Sequence, residues 1–382
     1  MNSRQITWIR RLAWGGAGLG LGVVGWLGWH FSRPAAQTPA SAVPGRTGAT
    51  ATVQLPSPAR RNVVMDQPAV APLVATNPVL PSTTNRAVVA PIEPAFVPHP
   101  VHSVFEAQIE LARRAISGGS LDGVLGPQTR AALRAFQRQE HLSPTGELDE
   151  DTQRCLVIST PPLTIYNVTA EDVERPQPLA ATWLGKSLQS RLDFASLLEL
   201  VSEKSQSRPD WIRSLNPGTD WARLRPGMAV VVPRVSCVPG PSKAAFVRID
   251  LAAKTLEAFD ARTNLVAHFP CSIAARLEKR PVGILTVTRL VANPSYVMDP
   301  RNFPESAEAQ ALDRKLILPP GPNNPVGTAW ISLDKPGYGI HGTPRPEAVG
   351  RAESHGCFRL ANWNAEYLMQ LVDIGTPVII RP

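Results

Sequence analysis

The segment GYGIHGTPRPEAVGRAESHGCFRL, residues 337–360, places Cys357 behind a histidine and a glycine, and a second histidine, His341, on a strand-like run before them. A thiol is mostly protonated at neutral pH, whereas the thiolate is the nucleophile, so a reactive cysteine needs a neighbouring base or cation that lowers its pKa. His341 can act as that base. The segment therefore predicts nucleophilic catalysis by Cys357; the alternative is a buried, inert cysteine between ordinary turns.

The region around this segment, from Ala244 onward, alternates apolar and polar residues in the manner of β-strands. The clearest runs are FVRIDL, TLEAFD, VAHFPCSI and GILTVTRLV. A helix is predicted at about residues 364–372, before a last strand TPVII. We therefore predict a β-rich domain over residues 244–382.

The chain as a whole has 382 residues, which is enough for two or three compact domains, and a net charge of +8. This charge suits an anionic partner such as a membrane surface, nucleic acid or an acidic cell-wall polymer. Prolines number 39 and are dense between residues 34 and 103, where aromatic residues are nearly absent. Because such a segment cannot build a core, we predict a disordered Pro-rich linker there.

The N-terminus contains an uncharged run from Leu12 to Phe31 that follows three arginines, Arg4, Arg10 and Arg11. The run is about long enough to cross a bilayer, and the positive flank predicts a cytoplasmic N-terminus. Residues 1–33 are therefore predicted to be a cytoplasmic tail and an inner-membrane anchor, with a cleaved signal peptide as the alternative. The remaining domains would lie in the periplasm, which excludes nucleic acid as the usual partner.

The four cysteines are Cys155, Cys237, Cys271 and Cys357. Export would place them where disulfides can form. Their wide, irregular spacing is not that of a zinc site, so no metal is predicted. If Cys357 is a free thiol, at most one intramolecular disulfide can form, and the expected pair is Cys155 with Cys237.

Residues 104–160 are the first predicted folded unit. Apolar residues recur at helical spacing from Phe105 to Ile116, Pro127 opens a second helix, and Asp149 is placed to cap a third. The stretch LDGVLGPQTRAALRAFQRQEHLSPTGELDEDTQ resembles the three-helix peptidoglycan-binding domain in its D-G-x-x-G turn, its T-x-x-A-x-x-x-F-Q helix and its T-G-x-L-D-x-x-T end. The resemblance implies a partner in the cell wall.

Residues 165–235, the spacer unit, have the predicted order strand, two helices, strand. Two short helices are indicated by Leu198, Val201, Ile212 and Leu215, and a closing strand by MAVVVP. The unit resembles LysM glycan-binding modules in its L-N-P and L-x-P-G-x-x-x-x-V-P elements. It departs from them by an insertion of roughly 25 residues after the first strand. A spacer that packs against the β-rich domain is the alternative.

The opening segment contains further residues that suit acyl transfer. Gly342 and Gly356 let the backbone approach a substrate, and Arg359 adds a fixed positive charge. An H-G pair followed by S-H-G-C-x-R, with Cys357 sixteen positions after His341, is similar to the signature of the L,D-transpeptidase catalytic domain, or YkuD domain. The loop LPPGPNNPVGTAWISL and the strand YGIHGTP resemble cleft-lining segments of that family.

The resemblance to L,D-transpeptidases implies specific roles. Cys357 would be the nucleophile, His341 the proton acceptor and donor, and the Gly342 carbonyl would orient the imidazole. Backbone amides near Gly356 would form the oxyanion hole. Substrate-binding positions would be Tyr338, Ser354, His355 and Arg359.

The implied reaction forms a cysteine thioacyl intermediate with a peptidoglycan stem peptide. A neighbouring stem, or a partner such as a wall-attached lipoprotein, would then accept the acyl group, and no cofactor is needed. Hydrolysis by an L,D-carboxypeptidase and a non-catalytic wall-binding tether are the alternatives. The predicted fold class is multidomain α+β, with an N-terminal transmembrane helix, a three-helix peptidoglycan-binding bundle, a LysM-like βααβ unit and a β-rich L,D-transpeptidase catalytic domain.

Overall fold

The structure is a computed structural model that describes residues 96–236, 242–351 and 356–382. The first unit in the described chain consists of a small helical bundle with one short strand pair. Its elements are β1 (His99–Pro100), α1 (Val104–Arg113), α2 (Pro127–Gln139), α3 (Glu150–Cys155) and β2 (Val157–Ile158). Asp149 caps α3 by accepting a hydrogen bond from the backbone N–H of Thr152, as its position predicted.

Helix α1 is shorter than the apolar spacing suggested. It ends at Arg113, and Ala115 has a left-handed φ of +58°, which an α-helix cannot accommodate. Ile116 was predicted on this helix, but it lies beyond the helix end and forms a parallel β-bridge with His268 of the β-rich domain. The periodicity continued past the helix because Ile116 is still buried in the apolar core that α1 and α2 share.

The spacer unit is closed by an antiparallel pair of strands, one at each end. Its elements are β3 (Leu163–Asn167), α4 (Ala170–Glu174), α5 (Trp183–Ser187), α6 (Leu197–Lys204), α7 (Pro209–Leu215) and β4 (Ala229–Pro233). The two predicted helices correspond to α6 and α7. Helices α4 and α5 lie in the insertion, where Thr169 and Thr182 accept N-cap hydrogen bonds that start them.

The β-rich domain begins at β5 and continues to the C-terminus. Its strands are β5 (Phe246–Asp250), β6 (Thr255–Phe259), β7 (Leu265–Pro270), β8 (Gly283–Ala292), β9 (Tyr296–Met298), β10 (Leu316–Leu318), β11 (Ala329–Leu333), β12 (Gly339–His341), β13 (Phe358–Arg359) and β14 (Pro377–Arg381). Its helices are α8 (Ala307–Gln310) and α9 (Asn362–Leu371). Short 3-10 turns occupy Leu277–Lys279, Pro300–Asn302 and Pro346–Ala348.

Eight of these strands form one sheet in the order β13-β12-β11-β8-β14-β5-β6-β7. The pairs β12–β13 and β14–β5 are parallel, and the other neighbours are antiparallel. Ser272, just after β7, exchanges two backbone hydrogen bonds with Arg359 of β13, so the two outer strands of the sheet are joined. Strands β9 and β10 form a separate two-stranded hairpin.

The first unit docks on strand β7 of this sheet. Ser117 N–H donates to the carbonyl of His268 at 2.8 Å, and His268 N–H donates to the carbonyl of Ala115 at 2.9 Å. Arg138 of α2 forms an ion pair with the largely buried carboxylate of Glu257 at 2.6 Å. The helical bundle is therefore attached to the β-rich domain by backbone pairing as well as by charge.

The predicted fold class, which included an N-terminal transmembrane helix, is corrected to a β-rich domain with a helical region. Among the residues that the structure describes, no helix is both long and apolar enough to span a bilayer. The expected span, Leu12 to Phe31, lies outside those residues, as does the linker up to residue 95.

Candidate active site

Cys357 and His341 are brought together by the parallel pairing of β12 and β13. This pairing aligns Ile340 with Phe358 and His341 with Arg359. Ile340 and Phe358 point into the buried core. Because side chains alternate along a strand, His341, Cys357 and Arg359 lie together on the opposite face. His341 and Cys357 are sixteen positions apart in the sequence, and the strand pairing places them side by side.

His341 is a buried imidazole held in one orientation. Its Nδ1 lies 2.6 Å from the carbonyl oxygen of Gly342, and its ring stacks on Trp330 of β11 with the centroids 5.4 Å apart. Burial lowers the pKa of His341 to about 4; the Gly342 contact opposes this shift and the charge of Arg359 adds to it. The side chain is therefore a neutral imidazole at neutral pH.

Cys357 is a partly buried thiol next to the glycines of the β11–β12 turn. Its Sγ lies 3.5 Å from the carbonyl oxygen of Gly337. Burial raises the pKa of the Cys357 thiol, while a backbone hydrogen bond from Gly339 and the charge of Arg359 act in the opposite direction. Burial thus outweighs the neighbours that were expected to lower this pKa. The resting pair is a neutral thiol beside a neutral imidazole.

Tyr296, at the start of β9, belongs to the same electrostatic group. Burial raises the pKa of its phenol, and a charge on Cys357 would raise it further, whereas the charge of Arg359 lowers it. Tyr296 also lines a cavity of about 390 Å³ together with Trp330 and Ser332 of β11. The cavity is a candidate binding volume for a substrate chain.

Three glycines around the site are required by close packing. A Cβ on Gly342 would lie 2.2 Å from Oδ1 of Asn362, and one on Gly327 would lie 2.0 Å from the same atom. A Cβ on Gly339 would lie 2.7 Å from the ring of Trp330. Real Cβ atoms do not approach other atoms this closely, so the backbone around His341 depends on bare glycines.

Asn362 is the buried residue that supports this packing. Its Oδ1 accepts a hydrogen bond from Thr328 N–H at 3.3 Å, and its Nδ2 donates to the carbonyl of Pro322 at 3.2 Å. It therefore ties the first turn of α9 to the loop before β11, directly behind Gly342.

Of the other predicted site residues, Tyr338 lies near the thiol. Its hydroxyl donates to the carbonyl of Lys279 at 3.1 Å, and its pKa is raised by burial and by the charge that Cys357 would carry. Gly356 directly precedes Cys357 and is partly buried. Ser354 and His355 lie outside the described residues, so their predicted roles stay predictions.

The other cysteines do not share the environment of Cys357. Cys271 is fully buried, and burial strongly raises the pKa of its thiol. Cys155 is exposed on α3, and neither of these thiols is paired with another cysteine among the described residues. Cys237 lies outside those residues, and the expected pairing with Cys155 remains a prediction.

Trp330, Tyr296 and Asn362 were not anticipated as site residues. Trp330 belongs to the run GTAWISL, and its position opposite His341 follows only from the β11–β12 register. Asn362 stands five residues after Cys357. The only local sequence feature that could have drawn attention to it is the pair of asparagines in the run ANWN. Its approach to Gly342 depends on how α9 docks, which the sequence does not display.

Comparison with known proteins identifies two domains. Residues 244–380 match the YkuD family, the L,D-transpeptidase catalytic domain. Residues 102–156 match a family described as a peptidoglycan binding domain. Both matches fall on the regions where the sequence resemblances were noted.

Individual relatives cover the catalytic half of the chain. A Bacillus licheniformis protein named as L,D-transpeptidase YkuD is 26% identical over 186 residues, covering 48% of this chain and 93% of the relative. A Salmonella typhimurium protein named as L,D-transpeptidase ErfK/SrfK is 31% identical over 166 residues, covering 43% of this chain and 53% of the relative. The chain thus spans about half the length of the second relative.

A solved structure, L,D-transpeptidase 3 from Mycobacterium tuberculosis with a faropenem-derived adduct, matches 42% of this chain and 76% of its own with 19% identity and a TM-score of 0.29. The family match and the sequence relatives assign residues 244–380 to the YkuD-type L,D-transpeptidase catalytic domain, and they support a peptidoglycan L,D-transpeptidase activity.

Proposed function

We propose that the transpeptidase reaction uses Cys357 as nucleophile and His341 as general base and acid. The observation that supports this proposal is the placement of both side chains on one face of adjacent parallel strands, with His341 Nδ1 2.6 Å from the Gly342 carbonyl. That carbonyl can only accept, so Nδ1 carries the proton and Nε2 keeps its lone pair. Nε2 is then available to receive the thiol proton.

The resting charge state determines how the first step proceeds. Because the pKa of the Cys357 thiol is raised and that of His341 is lowered to about 4, a standing thiolate–imidazolium pair is disfavoured. The proton therefore passes to His341 while the sulfur attacks the carbonyl carbon of the stem peptide. Arg359, on the same face, stabilises the negative charge as it develops.

In the proposed first step, the sulfur attacks the amide between the L-centred third stem residue and D-alanine. Backbone amides near Gly356 and Cys357 hold the oxyanion, and protonated His341 gives its proton to the leaving amine of D-alanine. A thioester remains on Cys357. In the second step an acceptor amine loses its proton to His341, attacks the thioester carbonyl and releases the cysteine as a thiol.

The donor stem is proposed to lie in the cavity next to Tyr296 and Trp330, with Tyr338 and Arg359 at its thiol end. Ser354 and His355, which precede Cys357 in the sequence, are proposed to complete the binding of the stem. The acceptor is a neighbouring stem peptide; a wall-attached lipoprotein would enter by the same amine chemistry.

The other units are proposed to bind the wall. Residues 104–160 would bind peptidoglycan, and residues 165–235 would act as a LysM-like spacer before the catalytic domain of residues 244–382. The antiparallel pairing of β3 with β4 around α6 and α7 supports a LysM-like order. The insertion that carries α4 and α5 departs from it.

The test is to treat the full chain with a carbapenem, to which the thiol of this family is expected to be susceptible, and to locate the adduct by peptide mass spectrometry. We expect one adduct, on Cys357, and none on the buried thiol of Cys271, which serves as an internal control. His341→Ala should be acylated much more slowly. An adduct on another residue, or equal rates for the variant, would contradict the proposal.

Transfer and hydrolysis are separated with a disaccharide tetrapeptide as the substrate. A cross-linked dimer together with free D-alanine is the expected product. Release of D-alanine without any dimer would instead identify an L,D-carboxypeptidase. Binding to cell-wall sacculi with no release of D-alanine would identify a tether.

A further inference from the structure

Strand β9 of the hairpin β9–β10 lines the candidate substrate cavity, and the hairpin is not part of the main sheet. It consists of three residue pairs, including Tyr296 with Leu318. Two-stranded hairpins are marginally stable on their own in water. Another part of the molecule must therefore hold this one in place.

The later part of the spacer insertion, residues 175–192, covers the inner side of this hairpin. Leu192 is fully buried in one apolar cluster with Met298 and Leu318 of the hairpin. Trp183 of α5 packs on the same cluster, and its ring lies 5.4 Å from that of Phe303. The spacer and the hairpin therefore share a hydrophobic core.

Hydrogen bonds fix the end of the insertion to the chain that follows the hairpin. Leu192 N–H donates to the carbonyl of Pro320, and Asn323 N–H donates to the carbonyl of Leu192, both at 2.9 Å. A Cβ on Gly321 would lie 2.2 Å from the oxygen of Leu192, so the two backbones are in direct contact. Asn323 also donates to the carboxylate of Glu199 on α6 at 2.7 Å.

We propose that the spacer insertion is a structural part of the substrate site, in which Leu192 and Trp183 are positioning residues that hold Tyr296 beside Cys357. This inference rests on the proposed role of Cys357 as the nucleophile. It assigns the 165–235 unit a task in catalysis in addition to any contact with the wall. The residues that touch the substrate remain those of the catalytic domain.

The predicted effect follows from the isolation of the hairpin. Leu192→Ala removes part of the apolar cover of Met298 and Leu318, and the strands lose their fixed position. A displacement of about 1 Å at a reacting group can lower a rate roughly a hundredfold. We therefore expect kcat/KM for release of D-alanine from the disaccharide tetrapeptide to fall by roughly tenfold to a hundredfold.

The experiment compares four variants of the full chain. Leu192→Ala removes the buried contact, Leu192→Met keeps its volume, and Leu188→Ala alters a 79% exposed leucine of the same insertion. Trp183→Ala, at the edge of the cluster, serves as a second perturbation if Leu192→Ala fails to fold. Leu192→Met and Leu188→Ala are expected to stay within about twofold of wild type.

A coupling readout separates positioning from general loss of stability. If Leu192 acts through Tyr296, Leu192→Ala should lower kcat/KM much less in a Tyr296→Ala background than in the wild type. Hydrogen exchange should accelerate in residues 296–298 and 316–318 and stay unchanged in β5 and β6.

Two results would overturn the inference: wild-type kinetics for both Leu192→Ala and Trp183→Ala, or full additivity of Leu192→Ala with Tyr296→Ala. A wild-type protein that a carbapenem does not acylate at Cys357 would overturn the proposed function, and this inference with it. Carbapenem acylation at Cys357 in the wild type, with no effect of the insertion variants, would remove this inference alone.

Discussion

Glu203, the penultimate residue of α6, is a carboxyl group trapped between the spacer unit and the catalytic domain. Its Oε1 is buried and has no hydrogen-bond partner among the described residues. It borders a cavity of about 520 Å³ that Trp363 and Glu366 of α9 also line. Burial raises the pKa of Glu203 to about 8; the Asn362 side chain opposes the shift and the charge of Glu366 adds to it.

The shift makes protein stability depend on pH in a defined direction. Between the ordinary pKa of 4.5 and the folded value of about 8, the native state holds a proton that the unfolded state has lost. The free energy of unfolding therefore falls as pH rises, by about 1.4 kcal/mol per pH unit. From pH 5.5 to pH 7.5 this contribution falls by about 2.7 kcal/mol.

Glu203→Gln keeps the size and removes the titration. Urea unfolding at pH 5.5, 6.5 and 7.5 gives the free energy of unfolding of the wild type and of the variant. From the lowest to the highest pH, the variant should gain about 2–3 kcal/mol relative to the wild type. Glu278→Gln, which alters an exposed carboxylate of the same chain, is the matched control. Parallel pH dependences for wild type and Glu203→Gln would refute the reasoning.

Two further predictions concern His341 and the packing around it. Because only the neutral imidazole accepts a proton and the pKa of His341 is about 4, carbapenem acylation of Cys357 should decline only below about pH 4; a midpoint near 6.5 in the measured pH–rate profile would contradict this. Gly327→Ala should lower the free energy of unfolding by about 2–4 kcal/mol, because its φ is +63° and its Cβ would meet Asn362. Gly227→Ala is the control, because Gly227 has a φ of +87° but open space around its Cβ position. Backbone strain alone should lower its free energy of unfolding by about 1 kcal/mol. Equal losses for the two variants in urea unfolding would show that contact with Asn362 is unimportant.

The strands of the catalytic domain could be located from the sequence because half-buried strands alternate. The run FVRIDL contains β5, TLEAFD contains β6, and TPVII overlaps β14. The helix caps were also local: Asp149 begins α3, and Pro127 begins α2. Such features depend on neighbours within a few residues, which a single sequence displays directly.

The partners of each strand could not be predicted in the same way. The alternation of apolar and polar residues identifies a strand but not its partner. The pairing of Trp330 with His341 and the bridge between the ends of β7 and β13 are therefore visible only in the structure. Tyr296 reaches the site from a hairpin outside the main sheet. The pKa of Cys357 was expected to be lowered because the sequence shows its charged neighbours and hides its burial.

The parallel pairing of β12 with β13 has a consequence for how this enzyme can diversify. The offset between imidazole and sulfur is set by backbone hydrogen bonds between strands, so the chain that connects them does not determine it. That connection can lengthen, shorten or change its side chains while His341 and Cys357 keep their spacing. The relative position of the imidazole and the thiol is thereby a property of the strand pairing.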